Sequence, residues 1–120
     1  MDGLYLYCIR KRIDIPFSVS TNGIDEKEKV FVLPYGELEA VVSKVSLEEF
    51  NPEAIQIKAQ EDLGWIKEKA IIHEKVIEEA MKNNGEIISL VPMKFGAIFK
   101  EENGLEKVLD KDYEKFKTTI

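Results

Sequence analysis

The sequence predicts an α+β protein in which a four-stranded, mostly antiparallel sheet carries helices on one face. Short runs with alternating apolar residues occur at the start of the chain and again over residues 30–45. A long segment, residues 61–83, repeats its apolar residues at steps of three and four, which is the spacing of one helical face. A second apolar run and a second helical pattern follow this segment.

The first predicted strand, Leu4–Ile9, is apolar on both faces and is therefore expected in the interior of the sheet. Strict alternation assigns Leu4, Leu6 and Cys8 to one face and Tyr5, Tyr7 and Ile9 to the other. Residues 10–29 contain proline, glycine and a charged run, which predicts a long loop. Phe17 and Val19 are expected to hold this loop against the body.

A hairpin is predicted next, because the apolar runs Val30–Leu33 and Leu38–Val45 are separated by a short link that contains a glycine. Two helix starts follow the hairpin. Ser46–Glu49 has the spacing of a capping box and predicts a short helix. Asn51 and Pro52 then predict a second start, with the asparagine as N-cap and the proline as the first helical residue.

The main helix is predicted over Glu61–Asn83 and ends in a run of two asparagines and a glycine. A fourth strand is predicted over Ile87–Phe99, where Pro92 indicates an edge or a bulge because it has no N–H to donate. A last helix begins within residues 101–104. This order matches the ferredoxin-like plan, modified so that the loop at residues 12–28 replaces the first crossover helix.

Length and charge restrict the function. With 120 residues the chain is expected to form one domain, residues 1–120. Its net charge is −6, and its lysines are mixed with glutamates, so binding to nucleic acids or to anionic membranes is disfavoured. The sequence shows no signal peptide and no uncharged apolar stretch of about 18 residues. Because Cys8 is the only cysteine, these features together predict a cytoplasmic protein in a reducing compartment.

No set of residues predicts catalysis or cofactor binding. His73 lies on the apolar face of the main helix and is expected to be packed and hydrogen-bonded. Cys8 lies between apolar residues of a strand and is expected to be buried rather than nucleophilic. One cysteine and one histidine do not supply a metal site, and the glycines form no phosphate-binding motif. The sequence therefore predicts a protein that is not an enzyme and needs no cofactor or metal.

A resemblance to a known family extends over most of the chain, from about Leu4 to Phe116. It rests on four stretches in order: LYLYCIRK, VLPYGELEAVVSKVSLEEF, EDLGWIKEKAIIHEKVIEEAM and VPMKFGAIFKEENGLEKVL. Together they resemble the gas vesicle protein GvpL/GvpF family. The most specific parts are YGELEAVVS, LGWIKEKAIIHE and PMKFGAIF.

This resemblance implies an accessory or minor structural protein of gas vesicle assembly, located in the cytoplasm and associated with gas vesicles. It implies contact with the small apolar shell protein and with other accessory proteins, and no catalytic activity. It also implies that residues 1–120 correspond to the family's N-terminal domain, of modified ferredoxin-like fold, whereas the second α+β domain of such proteins is not part of this chain.

The apolar run IISLVPMKFGAIFK, residues 87–100, has two interpretations. It can be a core strand, or an exposed edge to which an apolar partner adds a strand. The second interpretation assigns a partner interface to Lys94, Phe95, Gly96 and Phe99. Two other functions stay open at this point: a small-ligand-binding regulatory module of ferredoxin-like fold, and an enzyme that uses Cys8 or His73.

Overall fold

The computed structural model describes residues 1–13, 22–83 and 86–120, so the predicted contacts of Phe17 and Val19 lie outside the described residues. The strands are β1 (Asp2–Lys11), β2 (Val30–Tyr35), β3 (Leu38–Ser46), β4 (Lys82–Asn83), β5 (Glu86–Ile87), β6 (Leu90–Pro92) and β7 (Ile98–Phe99). The helices are α1 (Pro52–Glu61), α2 (Leu63–Ala80), α3 (Glu102–Lys111) and α4 (Tyr113–Thr119).

An antiparallel sheet organises these elements around β1. One side of β1 pairs with β3, which in turn pairs with β2. The other side of β1 pairs with β6 near residues 8–10 and with β7 near residues 4–5. The short strands β4 and β5 pair with each other in a separate hairpin. The predicted hairpin of the second and third strands is therefore confirmed, and β1 is the interior strand that the sequence indicated.

A β-bulge in β1 changes the predicted alternation of its side chains. The pairing with β3 shifts between Leu6 and Cys8, so one extra residue of β1 is accommodated there. Tyr7 and Cys8 consequently pack in the same core cluster, while Leu6 and Ile9 pack in the other. The prediction that Cys8 shares a face with Leu6 is wrong, because alternation is interrupted wherever two residues oppose one.

The sheet is covered on both faces, and this differs from the expected arrangement with helices on one face. One core cluster joins the sheet to α2 through Val76, Ile77 and Ala80. The other joins it to α3 and α4 through Leu105, Leu109 and Phe116. Because β1 and β3 are apolar on both sides, both faces must be removed from water. The α+β class itself is confirmed.

One of the two helix starts predicted after the hairpin is confirmed, and the other is wrong. Asn51 is the N-cap of α1, with its side chain accepting the N–H of Ala54 at 2.8 Å, and Pro52 is the first helical residue, as predicted. Ser46–Glu49 forms a turn at the end of β3, not a helix, and the Ser46 hydroxyl donates to Glu48 at 2.7 Å. This side-chain bond stays within the turn and does not cap a helix.

The long helix is shorter than the predicted Glu61–Asn83. It begins at Leu63, because Asp62 leaves the helical conformation and accepts the N–H of Trp65 at 3.1 Å as the N-cap of α2. It ends at Ala80, and the following residues enter the β4–β5 hairpin. The spacing of apolar residues predicts the apolar face of this helix, but it does not predict that Asp62 caps it.

The predicted strand Ile87–Phe99 is divided into three short strands, β5, β6 and β7. Gly96 adopts a φ of 97°, which ends regular extended backbone and suits a glycine. The predicted edge position of Pro92 is confirmed, since β6 pairs only with β1 among the strands of the described residues. The last helix is also divided, with the break at Asp112 between α3 and α4.

A buried ion pair connects the sheet to α2. Arg10 on β1 donates its Nε–H to Glu39 on β3 at 2.7 Å, and its Nη1 donates to the Ala80 carbonyl at 2.8 Å. Arg10 and Glu39 are only 2% and 3% exposed. Since burying a charge costs free energy unless the charge is paired and hydrogen-bonded, each member of the pair lowers the cost of burying the other.

We expect Glu39→Gln to lower the free energy of unfolding by about 3 kcal/mol, because it leaves a buried guanidinium without its counter-charge. Urea denaturation followed by circular dichroism measures this loss. Glu37→Gln is the matched control, because Glu37 forms an exposed ion pair with Lys117 and its loss should change stability little. Equal effects of the two substitutions would contradict the importance of the buried pair.

Candidate partner-binding edge

The candidate site is the segment from β6 to β7, which follows one side of β1. The Met93 N–H donates to the Tyr7 carbonyl at 2.9 Å, and the Leu6 N–H donates to the Ala97 carbonyl at 2.8 Å. Between these two bonds the chain leaves the ladder and forms a turn that contains Lys94, Phe95 and Gly96. The segment is thus fixed to the sheet on both sides of the turn.

A series of hydrogen bonds links this turn to the side chains of Tyr5 and His73. The Gly96 N–H donates to the Tyr5 hydroxyl at 2.9 Å, and that hydroxyl lies 2.9 Å from Nδ1 of His73. Nε2 of His73 lies 2.9 Å from the Met93 carbonyl, which can only accept. Nε2 therefore carries the proton and donates it, and Nδ1 accepts from Tyr5. Gly96 thus binds the turn to β1, and Met93, which precedes the turn, binds it to α2.

Burial keeps His73 in the neutral form that this chain of hydrogen bonds requires. Loss of water around the ring lowers the pKa of His73, although the Met93 carbonyl and Glu74 act in the opposite direction. Burial likewise raises the pKa of Tyr5, so its hydroxyl stays protonated and can donate. The prediction of a packed and hydrogen-bonded His73 is confirmed. Both nitrogens are engaged by the protein's own groups, as in a structural histidine.

Cys8 is fully buried and lacks the surroundings that activate a thiol. Burial raises the pKa of Cys8 to about 12, a change that Arg10 opposes and Glu39 adds to. A nucleophilic cysteine needs the thiolate at neutral pH and an accessible sulfur. The prediction that Cys8 is packed in the core is confirmed, and the interpretation as a nucleophile has no support from the geometry.

The four residues predicted for the partner interface lie along one edge of the sheet, but their two aromatic rings pack on opposite faces of it. Lys94 is exposed on the turn, and Gly96 follows it with its positive φ. Phe95 is half-buried, and its ring centroid lies 6.2 Å from that of Tyr5 and 6.0 Å from that of His73. Phe99 is also half-buried but packs in the cluster on the opposite face of the sheet. Their role in binding stays a prediction.

One feature near the turn was not found from the sequence. An open groove lies between α2 and β6 and is lined by Glu74, Ile77, Met81, Leu90, Pro92, Met93 and Lys94. Its helical wall consists of residues 74, 77 and 81, which recur at steps of three and four and so share one helical face. This spacing was visible in the sequence, but nothing in it indicated that the face lies beside β6.

The described residues contain neither a candidate metal-ligand cluster nor a helix that could cross a membrane. Over residues 1–13, 22–83 and 86–120, no group of three or more histidine, cysteine, aspartate or glutamate side chains could hold a metal ion. No helix in the same part of the chain has the length and apolar character needed to cross a membrane.

Comparison with known families decides what the chain is related to. The model of the family described as gas vesicle synthesis protein GvpL/GvpF matches residues 3–120. The chain belongs to this family. No curated protein matches the chain.

A solved structure of a family member shares the fold of this GvpL/GvpF chain. The crystal structure of the gas vesicle protein GvpF from Anabaena sp. PCC7120 matches with a TM-score of 0.68 and 24% sequence identity. The match covers 98% of this chain and 42% of that protein, so this chain spans less than half of the length of the Anabaena protein. The α+β architecture expected from the resemblance is thereby confirmed.

Tyr5→Phe is expected to lower the free energy of unfolding by about 1–3 kcal/mol, because the Gly96 N–H and Nδ1 of His73 lose their partner in a buried site. Thermal and urea denaturation measure the loss. Tyr35→Phe provides the control, since the Tyr35 hydroxyl donates to Asp110 at the exposed surface and water can replace it. A loss no larger than that of the control would show that the Tyr5 hydroxyl does not support the turn.

The stability of the domain should fall between pH 7.0 and pH 5.5. The pKa of His73 is lowered in the folded state, so the unfolded chain binds its proton first as pH falls below about 6.5. Stability from the neutral ring is complete above that pH and is lost as pH approaches the folded pKa. Urea midpoints at the two pH values test this, and His73→Gln should remove the difference. An unchanged difference in that variant would assign it to other groups.

Proposed function

We propose that this chain is an accessory or minor structural protein of gas vesicle assembly that contacts the small apolar shell protein and other accessory proteins. The observation that supports this proposal is the family match, which extends over residues 3–120. We also propose that the chain corresponds to the N-terminal domain of longer family members and acts in the cytoplasm, in association with gas vesicles. It acts by binding and not by catalysis.

The edge formed by β6 and β7 supports a binding role. No other strand of the described residues covers its outer side, so backbone groups there remain able to pair with an added strand. Lys94 stands beside this edge and forms no ion pair with any described residue. The partner interface that we propose consists of Lys94, Phe95, Gly96 and Phe99.

The alternative functions have weaker support. A small-ligand module needs a few polar groups that converge in a mainly apolar pocket. The groove beside β6 has Glu74 and Lys94 as its charged lining residues, and the open depression beside Asp25 and Lys69 is lined mainly by charged side chains. An enzyme would need an accessible base or nucleophile. His73 and Cys8 are both buried. Binding of a protein partner therefore remains the function that we propose.

The first experiment is capture of the purified shell protein by the immobilised domain at about 0.1 M and about 1 M salt, with an unrelated acidic domain as control. Capture that persists at high salt is expected, because apolar contacts are not screened as charges are. Absence of capture at either salt concentration would contradict the proposal that this domain contacts the shell protein.

Phe95→Glu and Phe99→Glu test the proposed interface residues. Each is expected to weaken capture of the shell protein, since a charge replaces an apolar side chain at the proposed edge. Because both rings are half-buried against core clusters, thermal unfolding of each variant must be measured alongside. A variant that loses its thermal transition would identify that ring as part of the core and remove it from the interface.

A further inference from the structure

We infer that the groove between α2 and β6 binds an extended, apolar segment of a partner protein, which adds to the outer edge of β6 as a further strand. The inference rests on the proposed function and specifies where and how the partner binds. It differs from the interface predicted from the sequence, because one wall of the groove is formed by Glu74 and Ile77 of α2 and by its C-cap Met81, which that prediction did not include.

The groove has the size and composition for side chains of an apolar strand. Its volume is about 470 Å³, and it is open to solvent along its length. Five of its seven lining residues are apolar, namely Ile77, Met81, Leu90, Pro92 and Met93. Met81 supplies a flexible and polarisable side chain that adapts to different partners, whereas Met93 also packs against the cluster on the opposite face of the sheet. Alternate side chains of an added strand would enter this groove while the others face solvent.

The backbone of β6 offers hydrogen-bonding groups toward the groove side. In an antiparallel ladder, residue pairs that exchange hydrogen bonds alternate with pairs that do not. The Met93 N–H bonds to Tyr7, and Ile9 pairs with Val91 two residues further along, so the bonded positions of β6 are odd-numbered. The backbone groups of Leu90 and Pro92 therefore point away from β1. Leu90 presents an N–H and a carbonyl, and Pro92 presents a carbonyl alone.

Two unpaired charges at the groove define the charge pattern of the partner. Lys94 and Glu74 both line the groove, and neither forms an ion pair with a described residue. Lys94 provides a positive charge at the groove, although the chain as a whole carries a net charge of −6. An apolar segment with an acidic residue near Lys94 and a basic residue near Glu74 would be complementary. Such complementarity fixes the register and orientation of the added strand more than it increases the affinity of the partner.

A strand fits these features better than a helix. A helix would fill an apolar groove but would leave the outward groups of Leu90 and Pro92 unpaired, because its own backbone bonds are internal. An added strand satisfies these groups and fills the groove at the same time. The occupant is thus defined by chemistry as an extended apolar segment with an acidic residue at the position facing Lys94.

The test uses synthetic strand peptides, so it does not depend on the shell protein. The probe is a fluorescent peptide of alternating valine and threonine with one glutamate near one end and one lysine near the other. Fluorescence anisotropy measures its affinity for the domain. A peptide of the same sequence with alternate backbone nitrogens methylated retains the apolar side chains but cannot pair as a strand. Binding of the first peptide and at least tenfold weaker binding of the second are expected.

Charge reversal at the groove is the second arm of the test. Lys94→Glu is expected to weaken binding of the peptide about fivefold, which corresponds to about 1 kcal/mol. Lys107→Glu is the matched control, because it changes the net charge equally at an exposed position of α3, the helix on the opposite face of the sheet. Pro92→Glu, at an exposed groove position, should also weaken binding. Thermal unfolding confirms that each variant is folded.

Hydrogen exchange gives a readout that only strand addition produces. The Leu90 amide should exchange rapidly in the free domain and become protected when the peptide binds. Equal affinity for both peptides, or no protection at Leu90, would overturn the inference. Self-association of the domain that Lys94→Glu or Pro92→Glu abolishes would also overturn it, because a second copy would then be the occupant.

The two proposals can fail separately. Capture of the shell protein that Lys94→Glu and Pro92→Glu leave unchanged would refute the groove and support the assembly role. Binding of the peptide with no capture of the shell protein would support the groove and refute the proposed shell contact.

Discussion

Burial of β1 on both faces is the constraint on which the rest of the structure depends. Residues from Tyr5 to Ile9 are no more than 1% exposed, and their side chains are divided between two separate core clusters. Each cluster needs its own cover, so α2 lies on one face and α3 with α4 on the other. The bulge at Tyr7 adapts β1 to this arrangement by directing two consecutive side chains into the same cluster.

The polar groups brought into these clusters are satisfied in ways that link distant parts of the chain. Tyr5 connects β1 to His73 on α2 and to Gly96 in the turn. Tyr7 accepts the Ile24 N–H and bonds Ser43, which holds the loop after residue 22 against β3. Buried polar groups with partners specify one arrangement, because any other leaves them unpaired. The turn beside β6 is therefore positioned by the core and presented at the surface.

Function in this fold is expected at the least covered part of the sheet. The side of β1 that pairs with β3 is extended by β2, whereas among the described residues the other side pairs with two short strands, β6 and β7, that are joined by a turn. These short strands expose backbone groups and an apolar groove near one cation. The same features that make β6 a poor central strand make it suited to receive a partner. The partner that we propose for this edge is a gas vesicle component, because the chain belongs to the GvpL/GvpF family.

The sequence by itself determined the α+β class, the interior position of the first strand, the β2–β3 hairpin and the N-cap at Asn51, and it limited Pro92 to an edge or a bulge. These features depend on alternation, helical spacing and proline chemistry, which are properties of residues close together in the sequence. It also indicated that His73 and Cys8 are packed. Only the tertiary structure decided that helices cover both faces, that the run at residues 87–99 is divided, and that α2 and β6 form a groove. Each depends on contacts between residues far apart in sequence, whose geometry no local pattern contains.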